Sequence, residues 1–321
     1  MTANIDMSND RANLAYTGVI PWHGLGQPVH VDAPIEEWRV AAGLTWSAVT
    51  KPVGVPAFGI EEVPGYYAVV RDDTKHVLGV LSERYSPVQP SEIVDFLARS
   101  RDEVGLRLEV LGALNKGAII WGLLKAPRPS TIYDKKDPVE RYYLISTSFD
   151  GSLPTTARET AVRVVCQNTL TVALGSSKLL VEKRHVGQVD WQRAFEILKS
   201  TVEEQDAWNS FNAAIQKMMQ KKIDDSAREK FFAKALNIDL SQKISTRTKN
   251  TLEQLNDHAA NSPGADAATA KNTVWGALNA VTYYVDHARG RNNNNRLYGQ
   301  FWGAGGKIKS RAYEMAIKLA A

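Results

Sequence analysis

The 321-residue sequence is short of several things, and each shortage excludes something. It holds one cysteine, Cys166, so neither an intramolecular disulfide framework nor a multi-thiolate zinc site is available. No run approaches ~18 consecutive apolar residues, so no membrane-spanning helix is expected. Residues 1–13 are polar, carry Asp6 and Asp10, and lack the basic and apolar regions of a signal peptide, so a cytoplasmic chain is expected. Charge of one sign is also scarce: 39 Lys and Arg stand against 35 Asp and Glu, a net +4. What is plentiful is core-forming material. Eight Trp, eleven Tyr and eight Phe within 44% hydrophobic residues argue against a disordered chain.

The small positive excess is unevenly spread. Residues 265–321 carry eight Lys or Arg and only Asp266, Asp286 and Glu314 as acids, a surplus of +5 that leaves the remainder nearly neutral. The C-terminal segment is the basic end.

Hydrophobic periodicity divides the chain into two characters. Tyr66–Val70 and His76–Leu81 flank a polar turn and predict a hairpin. Ser91 is expected to cap a helix bearing Ile93, Phe96 and Leu97. A second hairpin runs from Leu106 through Asn115–Gly117 to Leu124, and a strand from Arg141 to Ser148 meets the Asp150-Gly151 turn. Strands with neighbours close in sequence predict an antiparallel sheet. From Gln188 to Lys222 apolar residues recur at three and four, predicting a long helix bent near Gln205-Asp206. Further helices are expected over Asp225–Ala235, Thr269–Ala288 and from Lys307, with a polar stretch over 241–270. Strands followed by helices make the expected fold class α+β, with a sheet-containing core over 14–187 and a helical region over 188–321.

Catalytic constellations find little support. Cys166 sits in the apolar Val164-Val165-Cys166 run, where a lone cysteine reads as a small core hydrophobe rather than a partner for His185. The six histidines show no i, i+4 pairing and no His-Glu-x-x-His, so no metal site is expected. Gly303-Ala304-Gly305-Gly306-Lys307 ends like a nucleotide loop, but Ile308 replaces the required hydroxyl residue and Phe301 the first glycine. What survives there is a glycine-rich turn opening a helix, with Lys307 and Lys309 in its first turn, able to meet a phosphate. Trp22-His23-Gly24-Leu25-Gly26 lacks a preceding strand and a third glycine, and reads as a tight structural turn.

Polyanion binding has more behind it. The loop Arg289-Gly290-Arg291-Asn292-Asn293-Asn294-Asn295-Arg296 offers three guanidinium groups and no acid, a composition suited to phosphates or simply to solvent. Tyr298, Phe301 and Trp302 follow it; interleaved rings and cations suit a single strand, although anchoring to the core is the better reading of Phe301 and Trp302. Arg158, Arg163, Lys178, Lys183 and Arg184 punctuate the middle of the chain, and Lys183-Arg184-His185 forms a compact cluster.

Several strings carry a family resemblance: Pro21-Trp22-His23-Gly24-Leu25-Gly26, Tyr85-Ser86-Pro87-Val88-Gln89, Thr147-Ser148-Phe149-Asp150-Gly151, Arg163-Val164-Val165-Cys166-Gln167-Asn168-Thr169-Leu170 and, more weakly, Trp275-Gly276-Ala277-Leu278-Asn279-Ala280. Together they resemble phage and plasmid proteins of the domain of unknown function 932. A looser, fold-level similarity links hairpins followed by helices to phage single-strand annealing proteins, which assemble into rings or filaments and hold single strands in a basic groove.

The expected function is therefore binding and ATP-independent annealing of single-stranded DNA in phage or plasmid recombination, by a homo-oligomeric ring or filament that is not an enzyme, needs no cofactor and contacts no membrane. The expected contact residues are Arg158, Arg163, Lys183, Arg184, Arg289, Arg291, Arg296 and Lys307. The alternative is a non-enzymatic assembly or host-interaction protein, whose long helix serves oligomerisation. A hydrolase or nuclease using a carboxylate–His site stands third, and divalent-metal-dependent degradation of DNA would revive it.

Overall fold

The computed structural model describes residues 5–8, 10–18, 24–56, 60–127, 131–132, 138–163, 168–169, 179–183, 187–290 and 296–321; at 8, 131–132, 163, 168–169, 179–183 and 296–297 it describes the backbone only. In chain order these form β1 (Met7–Ser8), β2 (Arg11–Ala12), β3 (Leu14–Tyr16), β4 (Gln27–Pro28), α1 (Ile35–Ala41), β5 (Ala48–Pro56), β6 (Ile60–Arg71), β7 (Val77–Ser82), α2 (Pro90–Val104), β8 (Arg107–Leu114), β9 (Ile119–Lys125), β10 (Thr131–Ile132), β11 (Pro138–Ser148), β12 (Thr155–Arg163), β13 (Asn168–Thr169) and β14 (Leu179–Lys183). Helices follow: α3 (Trp191–Glu203), α4 (Asp206–Gln220), α5 (Asp225–Ala235), α6 (Thr246–Asn261), α7 (Val274–Tyr283) running into a π-helical turn at Tyr284–Ala288, α8 (Arg296–Phe301) and α9 (Ala304–Ala320). The fold class is α+β, as the sequence predicts.

The chain forms two compact units. The first takes Met1–Pro127, Tyr143–Arg158 and Leu179–Glu203; the second takes Arg128–Tyr142, Glu159–Lys178 and Glu204–Ala321. In the first unit strands pair in the order β12-β11-β9-β8-β3-β4, with β14 also on β12, and a separate sheet runs β5-β6-β7. β3 and β4 run parallel, whereas β3 with β8, β6 with β7 and β8 with β9 are antiparallel. The expected hairpins are present as β6–β7 and β8–β9, the second turning through a 3₁₀ segment at Asn115–Gly117. Trp38, Leu44, Ile93, Leu97, Tyr143 and Phe149 are fully buried in this unit's core.

Helix α2 corrects one expectation. Ser91 lies inside the helix, and Gln89 is the cap, with Pro90 at the first helical position. The Glu92 carboxylate accepts the Gln89 N–H at 2.6 Å. The Gln89 side-chain amide meanwhile pairs with the Ala48 backbone in both directions, at 2.9 and 3.0 Å.

In the second unit β10 pairs β11, and β13 pairs β12, beside the helices α4 to α9. Its core gathers Phe211, Ile215, Met218, Phe231, Phe232, Trp275 and Leu278. The expected long helix is two helices, α3 and α4, interrupted at Glu204-Gln205, next to the polar positions that predicted a bend. α5 has the expected bounds, with Asp224 accepting the Ala227 N–H at 2.8 Å. The stretch read as polar contains α6, capped by Ser245, which buries only Leu252 and Leu255.

Candidate nucleic-acid interface

The basic C-terminal end is built on an ion pair. Thr273 caps α7, its hydroxyl accepting the Gly276 N–H at 3.0 Å, and the helix widens into the π-helical turn. Such turns are rare and often occur at functional sites. Asp286 in this turn meets Lys309 of α9 at 2.8 Å, with both side chains buried. Burial pulls the Lys309 ammonium below the usual lysine range, and the Asp286 carboxylate opposes that shift. The expectation that Lys309 meets a phosphate is thus corrected: its charge is spent inside the unit. Lys307, two residues earlier on the same helix, is exposed.

The glycines of this turn also have a packing explanation. A Cβ on Gly305 would stand 2.6 Å from the Gly299 carbonyl oxygen and 2.7 Å from Val285 Cγ1. Glycine is needed there for close approach of α8 and the π-helical turn. Phe301 is buried, 6.0 Å from Lys309 Nζ and 5.3 Å from the Trp302 ring, as an anchor should be. Tyr298 lies 5.9 Å from Trp302, and both are half-buried.

The eight expected contact residues separate into two groups. Arg289, Arg296 and Lys307 all belong to the second unit. Arg289 follows the π-helical turn, half-buried, and donates its backbone N–H to the Tyr284 carbonyl at 2.7 Å. Arg296 opens α8, with its side chain outside the described portion, and Arg291 lies outside the described residues. The mid-chain group is divided. Arg158 is half-buried on β12 in the first unit, opposite Leu179, and Lys183 closes β14 opposite Thr155. Arg163 closes β12 in the second unit, opposite Asn168. Arg184 lies outside the described residues, as do Lys178, Cys166, His185, Trp22 and His23. Gly24 and Gly26 have φ of +69° and +125°, and a Cβ on Gly26 would meet the Leu14 carbonyl oxygen at 3.0 Å, which fits a tight structural turn.

The structure assembles a cationic group that the sequence reading missed. After α4 the chain pairs with the segment leading into α7: Ile223 N–H donates to the Asn272 carbonyl at 3.1 Å, and Val274 N–H to the Lys221 carbonyl at 2.9 Å. Lys222 bridges Thr273, and its ammonium donates to the Lys271 carbonyl at 3.3 Å. Lys217, Lys221, Lys222 and Lys271 are consequently gathered, all exposed, and none belongs to an ion pair among the described residues. Two of them complement the C-terminal dipole of α4, and the Lys222 ammonium holds the Lys271 carbonyl, structural roles that leave the Lys271 side chain unexplained. The signal in sequence is only Gln216-Lys217-Met218-Met219-Gln220-Lys221-Lys222, which needs Lys271 to become a patch.

Other buried charge is structural. In the first unit Arg71 joins Asp6 and Asp73, each at 2.8 Å, lies over Trp46, and holds Asp73 below the usual carboxylate range. In the second unit Arg141 pairs with Glu159 and lies over Trp208; burial pushes the Glu159 carboxyl upward, and Arg141 opposes it. His258 on α6 sits 5.1 Å from the Tyr283 ring and 6.5 Å from that of Tyr284, and Tyr283 lies 4.5 Å from His287. The His258 Nε2 is buried with no hydrogen-bond partner; desolvation lowers its pKa, and Asp257 at 3.9 Å opposes this. Among the described residues no group of three or more His, Cys, Asp or Glu could hold a metal ion, and no helix is long and apolar enough to cross a membrane.

Fold and site define a two-unit α+β protein with exposed lysines on its helical unit and its deepest charges paired internally. The chain belongs to the family of the domain of unknown function DUF932, whose model matches residues 77–302. No curated protein and no solved structure matches it. Two strings that suggested this family have packing roles here. Tyr85 donates its hydroxyl to the Ser148 carbonyl at 2.6 Å, and Phe149 lies 5.2 Å from the Trp46 ring. In a third, a Cβ on Gly276 would overlap the Ala270 carbonyl.

Proposed function

We propose that this protein binds the phosphate backbone of single-stranded DNA and anneals complementary strands without ATP, as a protein of phage or plasmid recombination that is not an enzyme. The observation that carries the reading is the gathering of Lys217, Lys221, Lys222 and Lys271 from two segments about fifty residues apart in sequence, each exposed. Exposed ammonium groups outside ion pairs attract polyanions by releasing condensed counterions, with no need for base-specific contacts. Such binding leaves base edges available to a second strand. Lys307 and Arg289 add cationic positions in the same unit.

Annealing is tested with two complementary oligonucleotides carrying a donor and an acceptor dye, mixed with protein in the absence of nucleotide and metal. Faster acquisition of energy transfer than in the protein-free control supports the reading. A rate equal to the control in folded protein rejects annealing. The second reading, a non-enzymatic assembly or host-interaction protein, is favoured by the exposed apolar side chains of Val55, Ile60 and Tyr66 on β5 and β6.

A further inference from the structure

Residues Val274–Thr282 of α7 are all buried. The lysines gather before its first turn, and at its other end Tyr283 emerges, half-buried, where the π-helical turn begins. The two ends stand roughly 14 Å apart along the helix axis at 1.5 Å per residue. Tyr283 does not serve the core: its neighbour Tyr284 packs against the core of the second unit, and Tyr283 does not. Instead its ring meets imidazoles from two elements. His258 of α6 stands at 5.1 Å and 64°, and His287 of the π-helical turn at 4.5 Å and 41°. Neither contact is parallel, so among the described residues no stacked partner closes the tyrosine face, and all three residues are only half-buried.

Charge at this end suits a nucleic-acid strand. Arg289 follows His287 by two positions, and the π-helical turn packs against α8 and against α9, which carries exposed Lys307. Asp286, the acid of this turn, is already paired with Lys309, and Asp257 lies beside His258 on α6. With Asp286 turned inward, His287 is left outside beside Tyr283. We propose that Tyr283, flanked by His258 and His287, is a stacking site for a base of the single strand whose phosphates the lysines hold. A ring accepts any base, because every base has a π-face, and stacking leaves the pairing edge free for a second strand. Base stacking at Tyr283 presupposes the phosphate binding proposed above and adds the part of the strand that this end of the unit takes.

The test compares two labelled single strands by fluorescence anisotropy at low and high salt, one bearing its bases and one abasic throughout. Each is about twenty nucleotides long, which at ~3.4 Å per nucleotide exceeds the distance between the ends of α7. The full chain is used as wild type, Tyr283→Leu and Tyr283→Phe. The expected result is tighter binding of the base-bearing strand by wild type. Tyr283→Leu should lower that preference by about 5- to 150-fold and Tyr283→Phe should keep it, with abasic affinity and salt slope unchanged in all three. Wild type binding both strands equally, a Leu variant with the wild-type preference, or a Phe variant that loses it as Leu does overturns the stacking site and leaves phosphate binding in place. Absent or salt-independent binding of both strands rejects the phosphate reading itself, and the stacking site with it.

Discussion

Replacing Lys309 by Met tests whether the Asp286–Lys309 pair frames the basic C-terminal end. The substitution keeps the length of the apolar stem and removes the ammonium, leaving the Asp286 carboxylate buried without its partner at 2.8 Å. Breaking one side of a buried ion pair costs ~3–5 kcal/mol, because the remaining charge keeps its desolvation penalty. That is a large share of a total stability of ~5–15 kcal/mol. At ~2–4 °C per kcal/mol for a unit of this size, the melting temperature should fall by roughly 6–20 °C. Asp286→Asn should cost a similar amount. The double variant should recover most of the loss, since neither charge is then stranded. Differential scanning calorimetry on the four proteins measures the coupling. A Lys309→Met protein melting with the wild type, or a double variant no better than the worse single one, would refute the reasoning.

Three further outcomes are expected. The lowered pKa of His258 means that the unfolded chain binds more protons between the folded value and 6.5, so stability is fully present above 6.5 and declines as pH falls from there through the folded pKa; urea midpoints from pH 7.5 to 5 should show this decline, reduced in His258→Gln. Gly305→Ala places a methyl group against the Gly299 carbonyl and Val285, and should destabilise by about 1–3 kcal/mol in the same urea titration, whereas the exposed Ala304→Ser should not. Replacing Lys217, Lys221, Lys222 and Lys271 by Ala should weaken single-strand binding and flatten its salt dependence by up to about 3, at ~0.7 per phosphate contact; a slope equal to the wild type removes these residues from the interface.

Local signals carried much of the fold. Hairpins β6–β7 and β8–β9 were legible because alternation and turn residues lie within a few positions of one another. The α3–α4 interruption was legible because the apolar stripe fails at Gln205-Asp206. α6 was hidden because a helix burying only Leu252 and Leu255 has almost no periodicity to read. The cap of α2 was misplaced because Gln89 acts through Ala48, forty-one positions earlier. The site followed the same division. The basic tail marked Lys307 and Arg289 as candidates, but Lys309, buried on Asp286, could not be told from exposed Lys307 without seeing that partner opposite it. Lys271 joins Lys217, Lys221 and Lys222 only through backbone pairing distant in sequence, which no local pattern announces.

Binding itself is tested most directly by fluorescence anisotropy of a labelled single-stranded oligonucleotide, titrated with the full chain at low and high salt. Saturable binding at low salt that weakens log-linearly as salt rises is the predicted result. Folded protein that leaves the anisotropy unchanged at low salt would contradict the nucleic-acid reading.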